Sequence, residues 1–320
     1  MPPKTDKSTK TTKSPKAKTP KTTETQTQEF GETSILLTNK LSKDEKKDGG
    51  IFFTPRAIVN KAMTSALTAF GQTPGDIDIL EPSCGSGEFI DAIRAHPLFA
   101  SATATGGQQQ TTARITAVEF NNTIIAEINK KYIQPASSGD NQQPIKLFHA
   151  DFLTWKPSNG AATKYDLIIG NPPYFTMKKS AVAKEYYSYF EGRPNIYIIF
   201  IIKCIRMLKP GGVLSFVLPC NFLNSVYYNK LRKFISNPAN NYQICDIINC
   251  GSDNYYIDTD QNTVIFTLKY LGPEPSIAAA TATSLVDNSR FLASIKFKDA
   301  AELVIWNSPD AISIIRAALV

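Results

Sequence analysis

Histidine is nearly absent from this chain, with only His96 and His149 among 320 residues. The five cysteines, Cys84, Cys204, Cys220, Cys245 and Cys250, show no paired spacing. Together these shortages argue against a zinc site, and no metal is expected. Unpaired cysteines are the usual state of reduced thiols, which points to an intracellular protein. Long apolar runs are missing too. The strongest, Ile196–Ile202, is far shorter than the roughly 20 residues a membrane span needs, so no membrane partner is expected. The charged N-terminus has no apolar core behind it, so no secretory signal is expected.

Charge is scarce outside one stretch. The net charge is +7, but residues 1–23 carry seven lysines against the single acid Asp6, so the rest is almost neutral. Residues 1–29 therefore read as a disordered Lys/Thr/Pro-rich tail. Such a tail is either an electrostatic arm for nucleic acid or a solvated leader or targeting segment. A hydrophobic content of 42% suits one sizeable core, here residues 30–271, followed by a poorly patterned end, residues 272–320.

Within that core, short apolar runs alternate with helical patterns. Ile77–Leu80, Ile115–Val118, Ile145–Phe148, Leu167–Ile169 and Val213–Leu218 read as buried parallel strands, with Ile244–Ile248 and Thr263–Tyr270 as later ones. Residues 55–70, with Pro55 in the first turn and Thr54 as cap, read as a helix, as do Glu88–Ala95, Thr123–Tyr132, Asn195–Leu208 and Asn221–Ser236. Lys209-Pro210-Gly211-Gly212 reads as a helix stop and tight turn. Ser101–Arg114 and Gln134–Pro144 are polar inserts of low complexity. The pattern is a doubly wound α/β fold with a mostly parallel sheet.

The chemistry concentrates at strand ends. Glu81-Pro82-Ser83-Cys84-Gly85-Ser86-Gly87 is a glycine-containing turn between a strand and a helix. In such sheets ligands bind at the carboxyl ends of strands. There is no third glycine at the dinucleotide spacing, and Glu81 would repel a pyrophosphate. An acid there suits a cationic ligand such as S-adenosylmethionine, which carries an amino group and a sulfonium. Glu119 ends the next strand and can accept from ribose hydroxyls. Asp151 and Phe152 end the third, where the carboxylate can accept from an adenine amine and the Phe152 amide can donate to a ring nitrogen. Asn171-Pro172-Pro173-Tyr174 ends the fourth. An aromatic amine is a poor nucleophile because its lone pair is conjugated. The Asn171 side-chain carbonyl and the Pro172 backbone carbonyl can draw its hydrogens toward tetrahedral geometry, and Tyr174 offers a stacking face.

These segments, in this order, resemble the gamma class of DNA adenine-N6 methyltransferases, found in restriction–modification systems and large DNA viruses. The resemblance starts at Phe52-Phe53-Thr54-Pro55. It runs through the glycine turn, Glu119, Asp151-Phe152, Asn171–Tyr174, Asn195-Ile196-Tyr197 with Phe200, and Leu208–Pro219, covering roughly residues 50–270. It implies a class I S-adenosylmethionine-dependent methyltransferase fold with a seven-stranded sheet, and an adenine flipped out of duplex DNA. It implies a cofactor surrounded by Thr54, Glu81, Ser83, Gly85, Gly87, Glu119, Asp151, Phe152, Asn171 and Phe200. Catalysis falls to Asn171, Pro172 and Tyr174, with Tyr256 or its neighbour Tyr255 as the second stacking residue. Members of this class usually carry a large target-recognition domain after the catalytic one. The fifty residues after Tyr270 are too few and too evenly charged, so a partner chain or a C-terminal extension is expected to supply recognition. Two other readings share the motif: an RNA-adenine or protein-glutamine methyltransferase, and a non-catalytic DNA-binding subunit.

Overall fold

The computed structural model describes residues 29–71, 75–99, 111–133, 145–157, 163–250 and 262–273. The basic tail, most of the two polar inserts, Tyr255, Tyr256 and the C-terminal residues from 274 onward lie outside the described residues.

Three helices, Glu32–Lys40 (α1), Lys43–Gly49 (α2) and Arg56–Phe70 (α3), precede the first strand, Ile77–Glu81 (β1). Then follow Glu88–Ala95 (α4), Ala113–Glu119 (β2), Asn122–Tyr132 (α5), Ile145–His149 (β3) and Tyr165–Gly170 (β4). The second half holds Ile196–Ile205 (α6), Leu208–Pro219 (β5), Asn221–Asn224 (α7), Asn229–Ser236 (α8), Tyr242–Asn249 (β6) and Thr263–Tyr270 (β7). The seven strands form one sheet in the order β3-β2-β1-β4-β5-β7-β6. All neighbours are parallel except β5–β7 and β6–β7.

Strand periodicity builds two cores, because successive side chains leave a strand on opposite faces. Leu80, Ile168, Leu214, Phe216 and Phe266 join the apolar helix α6 on one face. Ile79, Leu167, Ile169, Val213, Val217 and Ile265 join α3 and α4 on the other. Helix α6 (IYIIFIIKCI) is nearly all apolar because it is buried all round, not along one stripe.

Local readings needed four corrections. Thr54 does not cap α3: the N-cap residue is Pro55, with no side-chain cap, because the Thr54 hydroxyl instead accepts from Asn171 Nδ2 at 3.0 Å. The expected helix Asn221–Ser236 is broken into α7, a 3₁₀ turn Val226–Tyr228 and α8. Ser225 is extended there, and the buried Arg232 guanidinium donates to the carbonyls of Phe222 (2.9 Å) and Ser225 (2.8 Å). The helix expected over Asn195–Leu208 is shorter, with Asn195 as its side-chain N-cap and Leu208 already in β5. Ala113 and Arg114 belong to β2, not to the polar insert. The Lys209–Gly212 turn exists as an irregularity at the start of β5, where pairing jumps from Tyr165↔Leu208 to Leu167↔Val213.

Candidate active site

β1, β2, β3 and β4 end side by side, so Glu81, Glu119, Asp151 and Asn171 converge above the sheet. There they border a cavity of about 520 Å³, the size of a cofactor pocket. Its lining takes in Thr54, Glu81, Ser83, Gly85, Glu119, Asp151, Phe152, Asn171 and Phe200. Gly87, Pro172 and Tyr174 stand beside the lining, not in it. Gly87 has another reason to be glycine: φ is +80°, and a Cβ would meet the Tyr132 hydroxyl oxygen at 2.4 Å.

Glu81 is buried, and its Oε2 has no hydrogen-bond partner among the described residues. Burial pushes its carboxyl well above the ordinary range, and the nearby acids Asp91 and Glu119 add to the shift. An orphaned carboxylate oxygen of this kind is costly unless a cation or donor meets it. Glu119 is also raised by burial, though its oxygens accept from the amides of Gly85 (3.0 Å) and Asn121 (2.8 Å). Six carboxylates line the cavity, from Glu45, Asp48, Glu81, Glu88, Glu119 and Asp151, with no Lys, Arg or His among the lining residues. That field repels phosphates and attracts a cation.

Asn171 is held from three sides. Its Nδ2 donates to the Phe52 carbonyl and to Thr54 Oγ1, both at 3.0 Å. Ser83 Oγ donates to its backbone carbonyl at 3.1 Å. With both amide hydrogens used, Oδ1 is left as the acceptor. The Tyr174 hydroxyl, to which the sequence reading gave no role, occupies that acceptor. It also lies 2.8 Å from the Val217 carbonyl, so one phenol proton faces two acceptors. The Tyr174 ring stacks on Phe52, with centroids 5.7 Å apart. Gly50 makes this closeness possible. It has φ +58°, its carbonyl accepts from Tyr174 N at 3.2 Å, and a Cβ would fall 2.5 Å from that nitrogen.

Sequence reasoning missed Glu45, Asp48, Glu88 and Phe120, all of which line the cavity. Glu88 accepts from Gly31 N (2.6 Å) and Ser34 Oγ (2.5 Å), which docks α1 onto the glycine turn. Glu45 and Asp48 sit in the charged run Lys43–Asp48, which carries no apolar pattern to mark it as part of a site. Phe120 was findable: a large aromatic directly after a strand-end acid, 72% exposed at the cavity rim.

The Asn171 lock predicts a separable effect. Thr54→Val removes one of two acceptors for the amide, so turnover should fall about 3- to 10-fold, the worth of one hydrogen bond, while Thr54→Ser should not. Turnover at saturating cofactor checks this. Loss in both variants would trace the effect to packing.

A sheet in this order, with an acid at each of its first three strand ends above an anion-excluding cavity, defines a class I S-adenosylmethionine-dependent methyltransferase. Solved structures share this fold. One is a type I restriction–modification system methyltransferase subunit from Streptococcus thermophilus, 19% identical with a TM-score of 0.51, covering 90% of this chain and 58% of that one. Another, from Listeria monocytogenes and assigned to the class I S-adenosylmethionine-dependent methyltransferases, is 20% identical with a TM-score of 0.50, covering 73% of this chain and 66% of that one. S-adenosylmethionine is the methyl donor of this class, and the cavity fits it: the orphaned Glu81 oxygen can meet its positive charge, and no basic side chain opposes it.

More narrowly, the chain belongs to the Eco57I restriction-modification methylase family, which its residues 22–256 match. It is 32% identical over 210 residues to the modification methylase CviBIII of Paramecium bursaria Chlorella virus NC1A, covering 65% of this chain and 48% of that protein. It is 32% identical over 248 residues to the type II methyltransferase M.CvrRI of Paramecium bursaria Chlorella virus XZ-6E, covering 76% of this chain and 54% of that protein. The chain thus spans about half the length of these viral relatives. No helix among the described residues is long and apolar enough to cross a membrane.

Proposed function

We propose that this chain transfers a methyl group from S-adenosylmethionine to the exocyclic N6 amine of an adenine flipped out of duplex DNA. The observation that carries the reading is the fixed amide of the cavity-lining Asn171, whose two hydrogens are committed to Phe52 and Thr54 so that Oδ1 is left as the acceptor. A group that needs two acceptors on one nitrogen, as a conjugated amine does, is served by Asn171 Oδ1 together with the Pro172 carbonyl. Family membership and the modification methylase and type II methyltransferase relatives support DNA as the substrate.

When bound, the cofactor supplies an electrophilic methyl on a sulfonium. Glu81 holds the positive end, Glu119 accepts from the ribose hydroxyls, and Asp151 with the Phe152 amide reads the adenine edge. Asn171 and Pro172 would draw the two amine hydrogens, so the nitrogen lone pair leaves conjugation and forms the new N–C bond. The electron pair of the broken S–C bond stays on sulfur, which becomes a neutral thioether, and one amine proton departs to solvent. The Tyr174 hydroxyl leaves Asn171, and its ring stacks on the target base. Tyr256 or Tyr255, in the segment outside the described residues, covers the other face. Reading of the surrounding DNA sequence falls to residues beyond the described core or to a partner chain.

Labelled S-adenosylmethionine offered separately with unmodified duplex DNA, RNA and a total-protein extract tests this. Label in DNA, recovered as N6-methyladenine, is expected. Label in RNA or on glutamine would replace the substrate, and cofactor binding with no transfer would make the chain a non-catalytic DNA-binding subunit. In the same preparation, S-adenosylmethionine should raise the melting temperature and NAD or ATP should not. The reverse would remove the cofactor assignment.

A further inference from the structure

Helix α6 contains one charged residue, Lys203, on an otherwise apolar helix. Its ammonium reaches no carboxylate among the described residues. It donates to the backbone carbonyls of Phe152, Leu153 (3.2 Å) and Trp155 (2.6 Å), and lies 4.6 Å from the centre of the Phe152 ring. Three carbonyls use all three ammonium hydrogens.

Those carbonyls belong to the tight turn that follows β3. Within it, Asp151 O accepts from Thr154 N (3.1 Å) and Trp155 N (2.8 Å), and Asp151 Oδ1 accepts from Leu153 N (2.9 Å). The turn is one short coil with its carbonyl end facing α6, and Lys203 closes that end. On the opposite side, Ala150 N donates to the Glu119 carbonyl at 2.9 Å, tying the turn to β2. Phe152 is packed between Phe200 (4.9 Å between centroids) and Trp155 (6.1 Å). Of the hydrogen bonds that reach this turn from elsewhere among the described residues, one joins Ala150 to β2 and three come from Lys203.

We propose that Lys203 is the positioning residue for the adenine end of the cofactor: by gathering three carbonyls of the 152–155 turn, it sets the direction in which Asp151 and the Phe152 amide face the base edge. This rests on the cofactor reading above and deepens it. A salt bridge to Asp151 would not do the same, because it would take the carboxylate that the adenine amine requires. A cation held by carbonyls leaves that carboxylate free.

The role makes a prediction that general loosening of the fold does not. A positioned turn recognises the adenine amino group, so it should distinguish S-adenosylhomocysteine from its deaminated analogue, S-inosylhomocysteine. A site that hydrogen-bonds a donor rejects an acceptor in its place strongly. Binding of both compounds is measured by calorimetry on the full chain, for the natural protein, Lys203→Met and Lys203→Arg. Expected for Lys203→Met is about a tenfold loss of S-adenosylhomocysteine affinity, little change for the inosyl analogue, and turnover at saturating cofactor within about threefold. Lys203→Arg should recover most of the discrimination. If Lys203→Met does not fold, Lys203→Gln, which keeps two donors on a shorter stem, takes its place: a partial loss of discrimination that Lys203→Arg recovers is expected, and discrimination within twofold of the natural protein overturns the proposal.

A folded Lys203→Met that keeps the discrimination within twofold overturns the proposal. Equal weakening of both ligands, unrescued by arginine, also overturns it. A natural protein that binds neither compound overturns the cofactor reading itself, and the proposal with it.

Discussion

Replacing Asn171 with alanine is expected to slow methyl transfer by about a hundredfold or more, the usual loss when a preorganised transition-state acceptor is removed. Cofactor affinity should stay within a few fold, because Glu81, Glu119 and Asp151 are untouched. Asn171→Asp is the sharper variant. It keeps an oxygen toward the pocket, but its second oxygen would face the Phe52 carbonyl and could take only the Thr54 hydroxyl proton. Acceptor repulsion should turn the group, so a severe loss is expected here too. Single-turnover rates with saturating S-adenosylmethionine and duplex DNA, beside equilibrium binding of S-adenosylhomocysteine, separate chemistry from binding. Near-normal rates for Asn171→Ala would remove Asn171 from the reaction.

Glu81→Gln is expected to weaken S-adenosylmethionine binding about 30-fold or more, since removing one partner of a buried charge pair costs 2 kcal/mol upward. The same substitution should stabilise the unliganded protein at neutral pH, because it removes a carboxyl whose ionised form burial disfavours and whose oxygen is orphaned. The pH dependence follows from the raised carboxyl of Glu81, with Glu119 shifted the same way. Between the ordinary glutamate value, about 4.3, and the raised folded value, the folded chain holds a proton that the unfolded chain has lost. Stability of the unliganded protein therefore falls as pH rises through that window and is greatest below it. A cationic ligand favours the ionised form, so its affinity rises through the same window and binding releases a proton. Thermal melts with and without cofactor across pH, and calorimetry in two buffers of different ionisation heat, measure both slopes. Glu81→Gln should flatten them. A change in affinity below threefold would sink the assignment.

Much of this architecture is legible one strand at a time. Each of the seven strands contains an apolar run, and Glu81 and Glu119 directly follow theirs, while Asp151 stands two residues past the end of β3. The order of β7 between β5 and β6 is not legible, because insertion of an antiparallel strand beside the sheet edge leaves no local mark on Thr263–Tyr270. Helices α1 and α2 were missed because their sequences are polar and hold few buried residues, respectively two and none. The Asn171 lock was invisible for a different reason. Phe52 and Thr54 lie 119 and 117 residues away in the chain, and a threonine before a proline at a helix start looks like a cap. Arg232 shows the same limit: an arginine at helical spacing reads as solvent-facing, yet burial holds it near the carbonyls that break the helix and lowers its pKa to about 10.

The resting position of the Tyr174 hydroxyl on Asn171 Oδ1 has a consequence for which bases can enter. The phenol holds one of the two lone pairs of this oxygen and has the Val217 carbonyl as a second acceptor, so under the proposed reading an incoming base either displaces the phenol or shares the oxygen with it. Adenine and cytosine bring an amine and keep the number of hydrogen bonds constant. Thymine, or guanine presenting its carbonyl edge, would evict a phenol proton and set oxygen against oxygen. Under the proposed reading the tyrosine thus favours an incoming N–H, and rejection of the wrong base begins before the methyl donor is engaged.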